Sequence, residues 1–477
     1  MKPAGLNRLA LRSGSSYMLS NIVISSLSII TAPIFTRLLT TSDYGIATNF
    51  AAWINVGLVV IGLGLAYSIG NAKTDFPLEL DNFLAAIQTL GTLFAGVVLV
   101  IAILFKAQLA QWMEIDQNLV IVLFVYLLFF PSVIFSQERY KFLLKYKPNI
   151  YITLFGAVGS VLFCLGFILF IFKEQRYYGR ILGLILPFFL MGIFFYVSII
   201  RKGWNWNFKK YWKYALRISL PMIPHALAMV VLTQMDRIMI VRMVGNSAAG
   251  LFSFGYTYAV LLLLVSNAVL QAYQPWLYFK YKDNNLSVIK TSTNFIAIGM
   301  CLLTMLSISF APEALMILGA KEFWPSKVVV MPIAVGALFQ YLYNTYATLE
   351  LYHKKTIVVA MGTLLAAGIN YTLNRFLIPV FGYPAAGYAT LASYFCLALF
   401  HFIAYQKVTG KRVFDDRFIW MAVLGTMMYS FLISLLYHVY LLRYLLVIGA
   451  FCIISGVAYL NRKRIVHAYQ LMSDKNE

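Results

Sequence analysis

Apolar runs of about twenty residues recur along the whole chain, separated by short polar and mostly basic segments. Each run is long enough to cross roughly 30 Å of hydrocarbon as a helix. Helices are expected because lipid offers no partner to an unpaired backbone group. The period-two alternation of a membrane barrel is absent. The pattern predicts an all-α, polytopic membrane protein of about fourteen transmembrane helices. They fall at 14–38, 43–70, 82–105, 118–137, 150–172, 181–200, 215–235, 246–271, 288–311, 327–349, 356–379, 384–405, 418–437 and 441–460. The basic, then apolar N-terminus resembles a signal peptide. It lacks an obvious small-residue cleavage site, and a second span follows at once, so an uncleaved first helix is expected. No linker between spans is long enough for a soluble domain.

Within this pattern one stretch returns. FTRLLTTSDYGIATNF (35–50) and IVRMVGNSAAGLFSFG (240–255) align without a gap. Arg37 falls on Arg242, Leu38 on Met243, Ser42 on Ser247, Gly45 on Gly250 and Ile46 on Leu251. The same offset lays ALR (10–12) on ALR (215–217). The repeat places helix one on helix seven and helix two on helix eight. An even number of helices separates the copies, so both halves enter the membrane in the same direction, about an axis along its normal. That is a transporter plan with the substrate between two lobes. The expected organisation is two pseudo-symmetric six-helix lobes, 1–200 and 215–405, joined by an amphipathic cytoplasmic loop, 201–214. Two further helices and a basic cytoplasmic tail, 406–477, are an addition suited to a lipid-facing groove or a partner surface.

Composition agrees: 61% of residues are hydrophobic and 12% charged, with mean hydropathy +0.79. The net charge of +21 does not point to nucleic acid, because Lys and Arg sit in clusters between spans rather than on one basic domain. With a cytoplasmic N-terminus, 27 of the 38 cations lie on inner segments and 11 on outer ones. This bias predicts that both termini are cytoplasmic. The acidic inner loop at 71–81 fits least well. The loop RKGWNWNFKKYWKYALR (201–217), with Trp204, Trp206, Tyr211 and Trp212, suits a helix at headgroup level. Cys164, Cys301, Cys396 and Cys452 all lie in apolar runs and read as small buried hydrophobes.

The candidate chemistry is sparse. Ser and Gly at the repeated hairpins suit helix capping and close packing. Arg37 and Arg242 fall at corresponding outer ends, and Arg12 and Arg217 at corresponding inner entries. Such cations either snorkel to water or line a cavity. Polar candidates for a wet cavity are His225, Tyr256 and Asn267, with Asn21, Asn49, Asn55 and Gln234. Asp236 and Glu350 are the acids nearest a span and the possible coupling groups. TGKR (409–412) lacks the glycine-rich loop of a nucleotide site. No enzyme activity, metal or cofactor is expected.

LTQMDRIMIVRMVGNSAAGLFSFGYTYAV (232–260) resembles the seventh-to-eighth helix signature of the polysaccharide flippases, through Asp236, Arg237, Gly245, Gly250 and Tyr256. Phe252 stands where that family often has Tyr. PIFTRLLTTSDYGI (33–46) resembles the family's first hairpin. GAKEFWPSKVVVMPI (319–333) and GINYTLNRFLIPVFGYPAAGYATLASY (368–394) resemble its second half, the latter through Asn370, Asn374, Pro379, Gly382, Gly387 and Thr390. The resemblance implies the multidrug/oligosaccharidyl-lipid/polysaccharide exporter superfamily. It further implies a flippase for an undecaprenyl-diphosphate-linked oligosaccharide in a bacterial inner membrane, serving O-antigen, capsule or exopolysaccharide synthesis. Such a diphosphate suits the planar fork of arginine, so Arg12, Arg37, Arg217, Arg237 and Arg242 become substrate-binding candidates. The implied partners are membrane lipids, a polysaccharide polymerase and a chain-length regulator, and no nucleic acid. The alternatives are a lipid II flippase and a cation-coupled multidrug exporter.

Overall fold

The structure is a computed structural model and describes residues 27–204 and 208–460. Every regular element among these residues is helical. The chain forms two compact units, residues 1–253 and 254–477.

The first unit contains α1 (Leu27–Leu38), α2 (Thr41–Val60), α3 (Ile69–Asp75), α4 (Leu80–Leu104), α5 (Lys106–Met113), α6 (Gln117–Phe142), α7 (Tyr146–Gly166), α8 (Arg176–Gly203), α9 (Phe208–Ser219), α10 (Ile223–Met243) and the start of α11 (Asn246–Ala259). Thr40 starts α2 with a reciprocal cap. Its hydroxyl accepts from the Asp43 amide at 3.1 Å, and the Asp43 carboxylate accepts from the Thr40 amide at 3.1 Å. α2 ends where Leu63 (φ 49°) and Gly64 (φ 60°) adopt left-handed backbone, and the chain resumes at an angle of 48° over Leu65–Asp75. α6 packs against α4, α7 and α8. α4 exposes Leu93, Val97, Ile101 and Leu104 and buries Ala85, Ala86 and Ile87. Exposed apolar side chains at helical spacing are what lipid solvates.

The second unit contains the rest of α11, α12 (Leu261–Lys282), α13 (Leu286–Ser309), α14 (Ala311–Leu318), α15 (Lys327–Tyr352), α16 (Thr356–Phe381), α17 (Pro384–Thr409), α18 (Asp416–Leu435) and α19 (Tyr440–Leu460). α15 is its core and packs against α12, α13, α16, α17 and α18. An 18-residue window of the stretch Lys321–Tyr352 is 83% buried. Burial all round explains why this span carries Tyr341, Tyr343 and Tyr346 among aliphatic residues.

Among the described residues, eleven helices are long and apolar enough to cross a membrane, or twelve when the bent pair at 41–75 counts as one span. The chain is a multi-pass membrane protein. Of the expected first and fourteenth spans, the described residues include the apolar helical stretches Leu27–Leu38 and Tyr440–Cys452. Residues 14–26 of the expected first helix, with its reading as uncleaved, lie outside the described residues. The expected seventh helix, 215–235, is longer: α9 and α10 carry it to Met243, with a break at Leu220–Met222. Pro221 and Pro224 supply no backbone N–H there, so the hydrogen-bond ladder is interrupted.

The aromatic segment expected at headgroup level packs on its own unit. Tyr211 donates to Glu79 at 2.6 Å, Trp212 to the Ala86 carbonyl at 2.7 Å and Tyr214 to Asp75 at 2.5 Å. Lys210 pairs with Glu79 at 3.1 Å. The acidic loop at 71–81, which fitted the charge bias poorly, is thus a docking surface for α9. Trp206 lies outside the described residues. Cys164 and Cys301 are buried as expected, but Cys396 is half-buried and Cys452 exposed, a position an apolar thiol can hold against lipid.

Candidate functional site

The two repeated hairpins meet each other. A Cβ on Gly45 would lie 1.9 Å from the Asn246 carbonyl oxygen and 3.0 Å from the Gly250 amide nitrogen. A Cβ on Gly250 would lie 1.9 Å from the Thr41 carbonyl oxygen and 3.1 Å from the Gly45 amide nitrogen. Thr41 aligns with Asn246 under the same offset that aligns Gly45 with Gly250, so each copy makes the other's contact in reverse. Next to them Ser253 donates to Thr48 at 3.1 Å, again between residues 205 apart. The sequence repeat is therefore a local two-fold in space. The glycines are needed for the backbone approach.

The sequence-predicted residues sort into distinct surroundings. Arg12 and Asn21 lie outside the described residues. Arg37 ends α1, exposed, with Nη1 donating to the Pro33 carbonyl at 2.8 Å. Arg242 occupies the matching last turn of α10 and is exposed. A cation in a last turn is favoured by the helix dipole. Arg217 is exposed in the last turn of α9. Arg237 is half-buried in α10; its Nη1 donates to the Thr233 carbonyl at 2.6 Å and lies 3.5 Å from Gln234 Oε1. Its guanidinium also lies 6.0 Å from the Phe252 ring centre. Asp236, beside it, is fully buried. His225 is half-buried near the start of α10. Tyr256, half-buried, and Asn267, exposed, belong to the second unit. Asn49 and Asn55 serve the helices themselves. Buried Asn49 donates to the Met113 carbonyl at 3.0 Å, and Asn55 to the Ala51 carbonyl at 2.9 Å.

Glu350 is 0% exposed on α15 and lies 2.8 Å from Nδ1 of His401 on α17, which is also 0% exposed. Tyr343 stacks on the imidazole at 5.6 Å. The buried carboxylate and imidazole satisfy each other, whereas either polar group left alone there would be costly.

Other polar ties, most of them buried, escaped sequence reasoning. Asp416, 7% exposed, accepts from Tyr405 and from Gln406, and so joins the start of α18 to α17. Arg443, buried in α19, pairs with Glu313 on α14. Arg176 donates to the Leu38 carbonyl at 2.7 Å and thereby caps α1. Each partner lies on a different helix, so no local motif announces it.

Solved structures share this fold. A lipid II flippase MurJ in an inward closed conformation aligns with 95% of this chain and 100% of its own, at TM-score 0.65 and 13% identity. An inward-facing multidrug resistance MATE family transporter of the MOP superfamily aligns with 82% of this chain and 98% of its own, at TM-score 0.61 and 14% identity. A MOP superfamily transporter from Pyrococcus furiosus aligns with 84% of this chain and 96% of its own, at TM-score 0.56 and 13% identity. At these identities the likeness concerns the fold. No curated protein sequence matches the chain. The family model described as polysaccharide biosynthesis protein matches residues 10–278, more than half of a chain with the fold of MOP superfamily transporters, and the chain belongs to that family.

Proposed function

We propose that the protein flips an undecaprenyl-diphosphate-linked oligosaccharide across the bacterial inner membrane by alternating access, for O-antigen, capsule or exopolysaccharide synthesis. The observation that supports this reading is the polysaccharide biosynthesis family match over residues 10–278. Both termini are cytoplasmic in this reading, and the lobes are 1–200 and 215–405. Arg37, Arg237 and Arg242 hold the diphosphate at the outer end, with Arg12 and Arg217 at the inner entry. Arginine can replace the lost water of a diphosphate with charge-assisted hydrogen bonds. His225, Tyr256 and Asn267 contact the glycan, and Asp236 or Glu350 couples transport to a cation or proton. The product passes to a polymerase and a chain-length regulator.

The test is complementation. The chain should restore surface polysaccharide to a strain lacking its own polysaccharide flippase. Rescue of a lipid II flippase-depleted strain instead, a reading favoured by the MurJ-like fold, would overturn the proposal. Drug resistance without either rescue would point to a multidrug exporter.

A further inference from the structure

In the first unit, α1, α6, α7 and α8 line an open-sided cavity of about 350 Å³. That volume holds one sugar ring, and it falls in the range of small-molecule pockets. Its wall is mostly apolar, but Thr31, Gln137, Thr153, Ser160 and Arg180 also line it.

Arg180 is the anomaly. Its guanidinium lies 3.7 Å from the centre of the Phe35 ring, and its Nη1 lies 3.6 Å from the Cys164 sulfur. A ring face and a thiol are weak acceptors and neutralise no charge. Among the described residues Arg180 has no carboxylate partner, whereas Arg139 in the same unit pairs with Asp81 at 2.7 Å. A half-buried cation without a counter-ion on the wall of a cavity is a candidate anion site. Beyond the N–H directed at Cys164, its remaining donors suit an oxyanion.

The rest of the wall specifies what carries that oxyanion. Ser160 donates its proton to the Leu184 carbonyl at 2.8 Å, and Thr31 to the Leu27 carbonyl at 2.8 Å. Both hydroxyl protons are thus committed to helix carbonyls, and the remaining lone pairs are acceptors. Thr153 accepts from the Gln137 amide at 3.4 Å, which leaves that amide a second N–H. Acceptors suit hydroxyl donors and repel a bare phosphate. From this combination we infer that the cavity binds an acidic sugar, with its carboxylate on Arg180 and its ring hydroxyls on Ser160, Thr31 and Gln137. The inference rests on the flippase reading and narrows its substrate class to glycans bearing a uronic or similar acid.

The experiment measures binding on the full-length protein in nanodiscs, by saturation-transfer NMR titration with sodium glucuronate, glucose and sodium pyrophosphate. Glucuronate should bind in preference to the other two. Arg180→Gln should weaken glucuronate binding by about tenfold or more, the loss expected for a hydrogen bond to a charged group. Arg180→Lys should restore part of it, and Ala157→Leu, which fills the cavity and keeps the cation, should abolish it. Equal binding of glucose, preference for pyrophosphate, or no glucuronate binding by the wild-type protein would overturn the inference. So would binding untouched by Ala157→Leu. Because the readout is binding and not rescue, failure here is separable from failure of complementation.

Discussion

Thr48 and Ser253 occupy the same place in two copies of one hairpin, and their hydroxyls are hydrogen-bonded to each other at 3.1 Å. Two equivalent residues can touch only on or beside a two-fold axis. Gly45 and Gly250 flank that axis and leave no space for a side chain.

The axis gives a paired prediction. Gly45→Ala and Gly250→Ala should each lower stability by about 1–3 kcal/mol, as overpacking does, because each methyl meets a backbone oxygen rather than a flexible side chain. The two effects should be similar in size and, because the residues touch, non-additive in the double variant. Thermal midpoints in detergent and protein abundance in membranes check both.

Arg37→Ala and Arg237→Ala should each cut surface polysaccharide about tenfold or more, without loss of protein from the membrane, if a charged hydrogen bond to substrate is lost. Lys at either site should rescue only partly, since it keeps charge but not the bidentate fork. Full complementation by the doubly substituted Ala protein would leave snorkelling to water as the sole role of these arginines.

The Glu350–His401 pair separates a structural tie from a coupling group. Removing one partner, as in His401→Ala, should destabilise by about 3–5 kcal/mol, because a buried charge is left uncompensated. Glu350→Gln keeps a hydrogen-bonding side chain and should fold better than Glu350→Ala. If Glu350 couples transport, Glu350→Gln should accumulate normally yet lose flipping in vesicles. Unchanged flipping would assign the pair to packing alone.

Glu79 sets an acid limb. The Tyr211 hydroxyl and then the Lys210 ammonium hold its carboxyl below the ordinary value of 4.5. A carboxyl depressed in the folded state contributes stability above its unfolded value, and loses it as pH falls through the lowered folded value. The docking of α9 should therefore weaken below about pH 4.5, and Tyr211→Phe should flatten that dependence. Thermal midpoints of wild type and variant between about pH 3 and pH 6 test it.

Reporter fusions after Asn118, Lys173 and Arg443 should report the periplasm, and fusions after Lys209 and Arg412 the cytoplasm. A periplasmic signal at Lys209 would sink the assignment of the first half.

Much of the fold was legible because lipid imposes long apolar runs, and because a repeated hairpin survives as Arg, Ser and Gly at one offset. The end of α10 was not legible. Gln234, Asp236 and Arg237 interrupt the apolar window, yet the helix continues to Met243 with Asp236 buried. The ties of Glu350 to His401, Asp416 to Tyr405 and Arg443 to Glu313 join different helices, so they depend on packing that no local pattern encodes. Arg180 carries no motif that sets it apart from the other cations in the sequence. Its importance comes from the polar side chains that α1, α6 and α7 bring around it.

The glycine contact also bears on ancestry and engineering. A surface that meets its own copy across a two-fold is isologous, the type found in homodimers. A half-length chain carrying one such hairpin would already present both sides of the interface. The full chain thus carries both sides of a homodimer-like contact in one polypeptide, and a substitution at either glycine is felt by both copies at once.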